Sequence, residues 1–532
     1  MMSRWSAAAV FTVVAPAIAF GQNSPTADTS QMVRAVEVRR HDIFSPSETN
    51  GFLPRLANGL HFVTRAWVVR RELLFRPGEP YDSAAVAETA RNLRGLAIFR
   101  AVTIDSVRTD SGLVVRVTTA DGWSTRPITY FQNVGSSIRP TLGVEELNFL
   151  GTATLVSVRY TSDPDRSTIT ASFRQPRLLA GRVGLALQYS HLSDGDLAFA
   201  QVSKPFFTLS GRSSWSIYGD SRDQRVLRFF DGSDSAAVTL QRRYKIAAAA
   251  AAWAIRAGPK GYLRVGLNGQ VRRDDYAVET RLDTLGRTVT GAVGAFLQWR
   301  RAHFLVSRGL EGFAREEDID VSTAVGFGLT ATPRAFGYPE DGIVPYLSLL
   351  TGFGQATRFV QFFATTSGRL TSAGLDSGST HLAATAFLLP GPRHLAVLHA
   401  ASGWQQRAAP GAEFDLGLGI GPRAFRQHAF TGDRAFFTSA EYRWTVTNDF
   451  LKLTAIGLAG FADYGGAWYH GERRRTGWDV GFGLRFGPTR ATDIQSSRVD
   501  LAYRAGNDVQ PGGWVLVVGK GFAFSTNGRL DR

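Results

Sequence analysis

Three short segments near the C-terminal end carry residue types that could meet as a charge pair. They are Pro422-Arg423-Ala424-Phe425, Ala440-Glu441-Tyr442-Arg443 and Phe461-Ala462-Asp463-Tyr464-Gly465. A guanidinium presents its donors in a rigid fork that fits a carboxylate. One arginine in a Gly/Pro-bounded loop, opposite two acids on strand-like segments, therefore suggests a charge pair tied down inside the fold. Catalytic chemistry has no comparable signal. The chain contains no G-x-S-x-G elbow, no H-E-x-x-H helix and no Walker loop, and its nine histidines show no ligand spacing. Cysteine is absent, which excludes a disulfide framework, a thiolate metal site and a cysteine nucleophile. The expectation is a protein that is not an enzyme and holds no cofactor or metal.

The acids are placed by the period-2 alternation around them. Over 436–444, Ser439, Glu441 and Arg443 share the polar face. Over 455–463, Ala455, Gly457, Ala459, Phe461 and Asp463 share a face rich in small residues. The same alternation runs through the chain beyond Pro127. Thr168, Thr170, Ser172 and Arg174 interleave with Ile169, Ala171 and Phe173, and Asp479, Gly481, Gly483 and Arg485 interleave with Val480, Phe482, Leu484 and Phe486. A soluble sandwich alternates too. What favours a membrane barrel is the polar face of Ala, Gly, Arg and Asp, suited to a wet lumen. Aromatics at strand ends, such as Trp444, Tyr464, Trp468, Trp514 and Phe524, add the interfacial girdles of a barrel. Residues 246–255, an alanine run, read as strand with small residues facing inward, since ten residues cannot span a bilayer as a helix.

Composition agrees. Of 532 residues, 56 are glycine, 36 phenylalanine and 11 tryptophan, with only 20% charged, a mixture suited to many strands and tight turns. Arg4, the apolar run 7–15 and the small residues of 17–21 read as a secretory signal peptide over 1–21, followed by a Ser/Thr/Gln-rich leader over 22–32. The formal charge of +15 comes from scattered arginines, so acidic lipid headgroups or lipopolysaccharide are the expected counter-charges, not nucleic acid.

Ahead of the alternating region, residues 33–121 read as a small α+β domain. A strand over 33–38 precedes a helix over 63–75 that Pro77-Gly78 stops. A second helix runs from a Ser83 cap to Leu96, and two strands over 101–107 and 113–119 flank a turn at 109–112. The run Val68-Val69-Arg70-Arg71-Glu72-Leu73-Leu74, with Pro77-Gly78-Glu79-Pro80-Tyr81-Asp82, Arg91-Asn92-Leu93-Arg94 and Phe99-Arg100-Ala101-Val102, resembles a POTRA domain. That family resemblance implies a periplasmic module whose sheet edge receives unfolded client strands.

The resemblance continues into the alternating half. Glu146-Leu147-Asn148-Phe149-Leu150-Gly151 is similar to the acidic-x-N-x-x-G turn of the BamA/TamA superfamily of outer-membrane assembly and translocation proteins, the bacterial surface antigen family. Phe173-Arg174-Gln175-Pro176 and Lys204-Pro205-Phe206-Phe207 resemble its strand-ending prolines. Pro422-Arg423-Ala424-Phe425 resembles its V-R-G-F/Y loop tip, with Ala424 in place of glycine, and 461–465 its F-x-D-x-G strand. Gly519, Phe522 and Phe524 match the G-x-x-aromatic-x-aromatic β-signal, although Val517 departs from the usual polar residue and eight residues follow Phe524.

What the resemblance implies is an outer-membrane barrel over 127–524 with about sixteen strands, so that of the roughly twenty alternating segments that can be marked some are expected to be loop hairpins or bends in long strands, and a C-terminal tail over 525–532. The loop tip would fold back into the barrel as a latch, Arg423 pairing with Asp463 of the F-x-D-x-G strand and Glu441 lying nearby as a second acid. The first strand, near 128–135, and the last, 514–524, would meet at a seam that loosens to pair with client strands, with Gly135, Gly519 and Gly521 weakening side-chain packing there. The implied function is insertion or translocation of unfolded outer-membrane or exported polypeptides, with possible periplasmic accessory partners. A passive or selective pore, and a secretion partner for a single exported protein, are the alternatives.

Overall fold

The computed structural model describes residues 32–525, apart from 50, 111, 135–136, 179–181, 279–283, 314–315, 408–410, 452, 491–494 and 507–509. The expected signal peptide, all but the last residue of the leader, Gly135 and all but the first residue of the C-terminal tail lie outside the described residues.

The N-terminal module consists of β1 (Val33–His41), α1 (Phe52–Leu60), α2 (Ala66–Glu72), α3 (Ser83–Gly95), β2 (Phe99–Thr109) and β3 (Gly112–Asp121). Its sheet has the order β1-β3-β2, with β1 parallel and β2 antiparallel to the central β3. The β3 residues Val115 and Val117 are buried against Val68 and Val69 of α2 and Leu93 of α3, which is why this strand alternates so regularly. Three details differ from the sequence reading. The helix α1 was not anticipated, because Gly51, Pro54 and Gly59 interrupt its pattern. The helix expected over 63–75 is confined to α2. The cap of α3 is Asp82, whose side chain accepts from the Ala84 N–H at 2.8 Å, one residue before Ser83.

From Thr125–Val134 to Gly513–Lys520 the chain forms a closed barrel of twenty strands, each antiparallel to its neighbours. The sixteen strands implied by resemblance are thus corrected to twenty. The alternating segments counted in the sequence were the better guide, since each pleated stretch long enough to cross makes its own strand. Because the strand number is even and the chain enters directly from β3, the module and the C-terminal segment share one mouth, the near side.

The alternation sorts side chains inside out relative to a soluble protein. Val480, Phe482 and Leu484 point outward and are exposed, Phe482 by 61%, while Asp479 and Arg485 on the same strand are buried in the lumen. Strand-to-strand pairing around the closed wall satisfies most backbone hydrogen bonds, and the apolar exterior presents hydrocarbon-compatible side chains outward, which together are the condition for crossing a bilayer. Residues 246–255 lie within strand Val238–Gly258, with Trp253 and Ile255 outside and Ala252 buried inside. Trp444, Tyr464 and Trp514 are exposed on the exterior. Phe524 is not on that girdle: it is buried within the lumen, and the last strand ends at Lys520.

Two short hairpins lie off the wall. Phe304–Arg308 pairs with Glu316–Asp320 at the near mouth, and Phe414–Leu416 pairs with Phe430–Gly432 in the far-side connection between strands His394–Gln406 and Arg434–Phe450. Both reach a buried cluster that contains Leu310, Phe414, Phe430, Phe522 and Phe524. The lumen is therefore partly filled by three inserted segments.

Candidate functional site

The far-side connection turns back into the barrel through closely spaced glycines. Gly417, Gly419 and Gly421 all have positive φ, and a Cβ at Gly417 would lie 2.0 Å from the Arg426 carbonyl oxygen. The turn is closed by Gly417 N–H donating to the Ile420 carbonyl at 2.7 Å and Leu418 N–H to the Phe425 carbonyl at 2.9 Å. Pro422 follows at the bend, and its carbonyl accepts from the Phe425 N–H at 3.4 Å. Ala424 is not among the residues with positive φ, so alanine costs nothing at this tip.

Arg423 is thereby aimed at the wall. Its Nε donates to Asp463 Oδ2 at 2.6 Å and its Nη2 to Asp463 Oδ1 at 3.2 Å, while Nη1 reaches Glu441 Oε2 at 2.9 Å and Asp500 Oδ2 at 3.4 Å. The guanidinium also lies over the Phe461 ring, 3.7 Å from its centroid. The three sequence-predicted residues Arg423, Asp463 and Glu441 are brought into one contact set, with Phe461 as its floor.

The set is larger than the sequence reading proposed. Arg443 Nε donates to Glu441 Oε1 at 2.6 Å, Arg485 Nε to the same oxygen at 3.2 Å, and Arg498 Nη1 to Asp500 Oδ2 at 3.1 Å. Asp479 Oδ2 accepts from the Ala424 N–H at 3.0 Å, and Arg504 Nη1 donates to the Ala424 carbonyl at 3.0 Å. Glu441, Asp463 and Asp500 thus meet Arg423, Arg443, Arg485 and Arg498, and Asp479 lies beside them on the loop backbone, all buried. Opposite charge at each contact is what lets these ions persist away from bulk water. The signal for the added members was present as inward polar positions on strands Thr476–Pro488 and Ser497–Ala505, but nothing in the sequence said which strands face the loop.

The other motif residues are steric. Phe425 is fully buried beside Phe430, ring centroids 4.9 Å apart, and it occupies the space a Cβ at Gly477 would need, 2.4 Å from its Cζ. At Gly465 a Cβ would sit 2.6 Å from the Phe436 carbonyl oxygen of the adjacent strand.

The loop lies directly behind the barrel closure. Leu418 and Ala424 pack with Val134 of the first barrel strand and Val515 and Val517 of the last. That closure is short among the described residues: the two strands pair there at Val517 with Val134 and Val518 with Asn133. Gly519 pairs with Arg498 on the other neighbour, where a Cβ would lie 2.9 Å from Arg498 Nε. Gly521, at φ 59°, turns the chain off the wall, its N–H donating to the Ser496 carbonyl at 2.8 Å. Phe522 and Phe524 then stack on each other inside the lumen, and Phe524 stacks on His399 with centroids 4.0 Å apart. The residues read as a β-signal at the end of a spanning strand are split here between the strand and an inserted tail.

The module is fixed at the near mouth by ion pairs. Arg177 makes two bonds to Glu72 at 2.7 and 2.9 Å, and Arg94 two bonds to Asp318 of the near-side hairpin at 2.7 and 2.6 Å. Beneath α3 lies a cavity of about 1120 Å³.

No protein-family model and no curated protein matches the chain. Among solved structures it is similar to CdiB from Escherichia coli, at 11% identity and a TM-score of 0.47, over 92% of this chain and 76% of that one. It is also similar to BamA from Haemophilus ducreyi lacking POTRA domains 1-3, at 10% identity and 0.37, over 92% and 84%. The FrpB iron transporter from Neisseria meningitidis matches at 8% identity and 0.41, over 80% and 88%. All three scores lie below 0.5. The class of the chain rests on its own architecture: a closed twenty-stranded membrane barrel with an α+β module at one mouth and an ion-paired loop behind a short seam.

Proposed function

We propose that the protein accepts unfolded polypeptide, an outer-membrane precursor or another exported chain, and passes it on by strand addition at the barrel seam in the outer membrane of a Gram-negative-type bacterium. The observation that carries this reading is the seam itself. Among the described residues two positions pair across it, whereas the last strand pairs with its other neighbour at eight positions and the first strand with its other neighbour at ten. Backbone donors and acceptors along the remainder of both strands suit another strand, which is how edges recruit extended chains.

The ion-paired loop supports the same reading, because it braces the inner face at Val134, Val515 and Val517 while leaving the strand edges themselves short of partners. In this reading the module is POTRA-like and periplasmic, and β2, at the margin of its sheet, offers an edge to client strands. The partners are unfolded clients, outer-membrane lipid with lipopolysaccharide, and periplasmic accessory proteins. No bond-making chemistry is involved. A passive pore is less favoured by a lumen that holds the loop, the near-side hairpin and the C-terminal tail together.

The test exploits the absence of cysteine. Asn133→Cys combined with Val518→Cys places two thiols across the seam. The expected result is that oxidation stops client assembly in proteoliposomes and reductant restores it. Undiminished assembly with the seam locked would overturn the proposal, and a steady open conductance in planar bilayers would favour the pore.

A further inference from the structure

The helix α1 is amphipathic, but its polar side faces the protein. Asn58 Oδ1 accepts from the Phe44 N–H at 3.1 Å and its Nδ2 donates to the Phe44 carbonyl at 2.9 Å. His61, just past the helix, is buried with Nδ1 3.0 Å from Asp42. The opposite stripe, Phe52, Leu56 and Leu60 at i, i+4 and i+8, is exposed, as is Phe62, with Phe52 at 76% and Leu60 at 67%. A soluble module gains nothing from presenting this stripe to water.

The position of the stripe says what covers it. Ile43 and Phe44, which Asn58 holds, pack on Trp123, two residues before the first barrel strand. Glu48 pairs with Arg490 at 2.8 Å, and the Trp123 N–H donates to the Arg490 carbonyl at 2.9 Å, so the segment before α1 is tied to the near rim beside the last strands. On the other flank, Arg65 N–H donates to the Gly151 carbonyl at 2.9 Å and Arg65 Nε to the Leu150 carbonyl at 3.1 Å. Those carbonyls belong to the first near-side turn, which itself exposes Phe149 and Leu150, with Leu150 at φ 54°. The turn continues directly into strands whose outward Val144, Val156 and Val158 belong to the lipid-facing belt. Its shape is fixed by Asn148, which donates to Thr64 Oγ1 at 2.9 Å and accepts from the Ala153 N–H at 2.8 Å.

We infer that α1 and the Phe149–Leu150 turn form a monotopic membrane contact, with the apolar stripe set into the near leaflet beside the barrel seam. Its partner is a lipid surface carrying anionic headgroups. Apolar residues on two elements are exposed at the same rim, joined through Arg65, and the second runs on into the barrel belt, while the exposed cations Arg55 and Arg65 flank them, the pattern of an interfacial helix. The contact rests on the barrel crossing the bilayer, as its exterior demands. It anchors the module at the seam, so that lipid order and client entry act on the same place.

Because the chain has no cysteine, single thiols report each position. Leu60→Cys, Phe149→Cys, Asp110→Cys and Leu398→Cys, each carrying an environment-sensitive fluorophore, are placed in vesicles of phosphatidylglycerol and phosphatidylethanolamine with spin-labelled acyl chains. The expected result is a blue shift and loss of emission at Leu60 and Phe149, as at Leu398 on the belt, while Asp110 on the β2–β3 turn responds only to aqueous iodide. Glutamate at Arg55 and Arg65 should reduce the quenching at Leu60 in anionic vesicles and leave it unchanged in neutral ones. Leu60 and Phe149 behaving like Asp110 while Leu398 is quenched would overturn the inference and leave the barrel reading intact. An unquenched Leu398 would overturn both. Protection of Leu60 that appears only after unfolded polypeptide is added would reassign the stripe to the client.

Discussion

Arg423 and Asp463, forty residues apart in the chain, meet side-on through two parallel hydrogen bonds with both side chains fully enclosed. The pair ties a far-side loop to the inner wall, and its surroundings leave neither partner a substitute in water. Arg423→Ala leaves Asp463 without its guanidinium partner, and breaking one partner of a buried pair costs about 3–5 kcal/mol. Urea unfolding of the detergent-solubilised barrel should show that loss, with Asp463→Asn close behind. Unchanged stability in both variants would mean that the loop is held by its apolar contacts alone.

Gly477 makes room for the Phe425 ring, so Gly477→Val should expel the ring instead of merely crowding it. Overpacking of this kind costs about 1–3 kcal/mol. Limited proteolysis should then cut within 417–429, a stretch otherwise buried. Gly477→Val combined with Phe425→Ala should recover part of the stability, because the two changes answer each other sterically.

Phe524 is predicted to act in the lumen. Removing its ring from the stack with His399 and Phe522 should destabilise the folded barrel by about 3–5 kcal/mol. Trp514→Ala, on the exterior, serves as the comparison. A Phe524→Ala protein that assembles slowly but unfolds normally would assign the residue to recognition of the unassembled chain instead.

The near-side hairpin should respond to pH. Burial pushes the Glu317 carboxyl from 4.5 up to about 7, against the backbone N–H groups of Leu310, Glu311 and Gly312 that donate to it. Between about 4.5 and about 7 the folded state holds a proton that the unfolded chain has released, so this contribution to stability falls as pH rises across that window. Hydrogen exchange over 309–313 should accelerate across the window beyond its intrinsic pH dependence, and Glu317→Gln should flatten that excess.

Much of the barrel was legible in the residues because alternation is a local property. A pleated strand between water and lipid must alternate, so the inward placement of Glu441, Arg443 and Asp463 follows from their spacing alone. The same pattern marked about twenty segments, and the structure has twenty strands. That a charge pair is enclosed could be anticipated from the residue types, because guanidinium and carboxylate have few other ways to lie inside a protein, whereas the choice of Asp463 and Glu441 as partners of Arg423 was implied by the resemblance of the loop tip and its strand.

What tertiary structure decided depends on which strands face one another across the lumen. Asp479, Asp500, Arg485 and Arg498 join Arg423 only because the barrel's closure brings strands Thr476–Pro488 and Ser497–Ala505 opposite the loop. Phe522 and Phe524 continue an alternating pattern and so read as strand, but Gly521 turns them into the lumen, where burying the rings against His399 outweighs one more turn of wall. The helix α1 shows the same limit from the other direction. Its apolar stripe was present in the sequence, yet only its neighbours, Trp123 on one flank and the Phe149–Leu150 turn on the other, reveal that the stripe faces away from the module's core and toward the rim of the barrel.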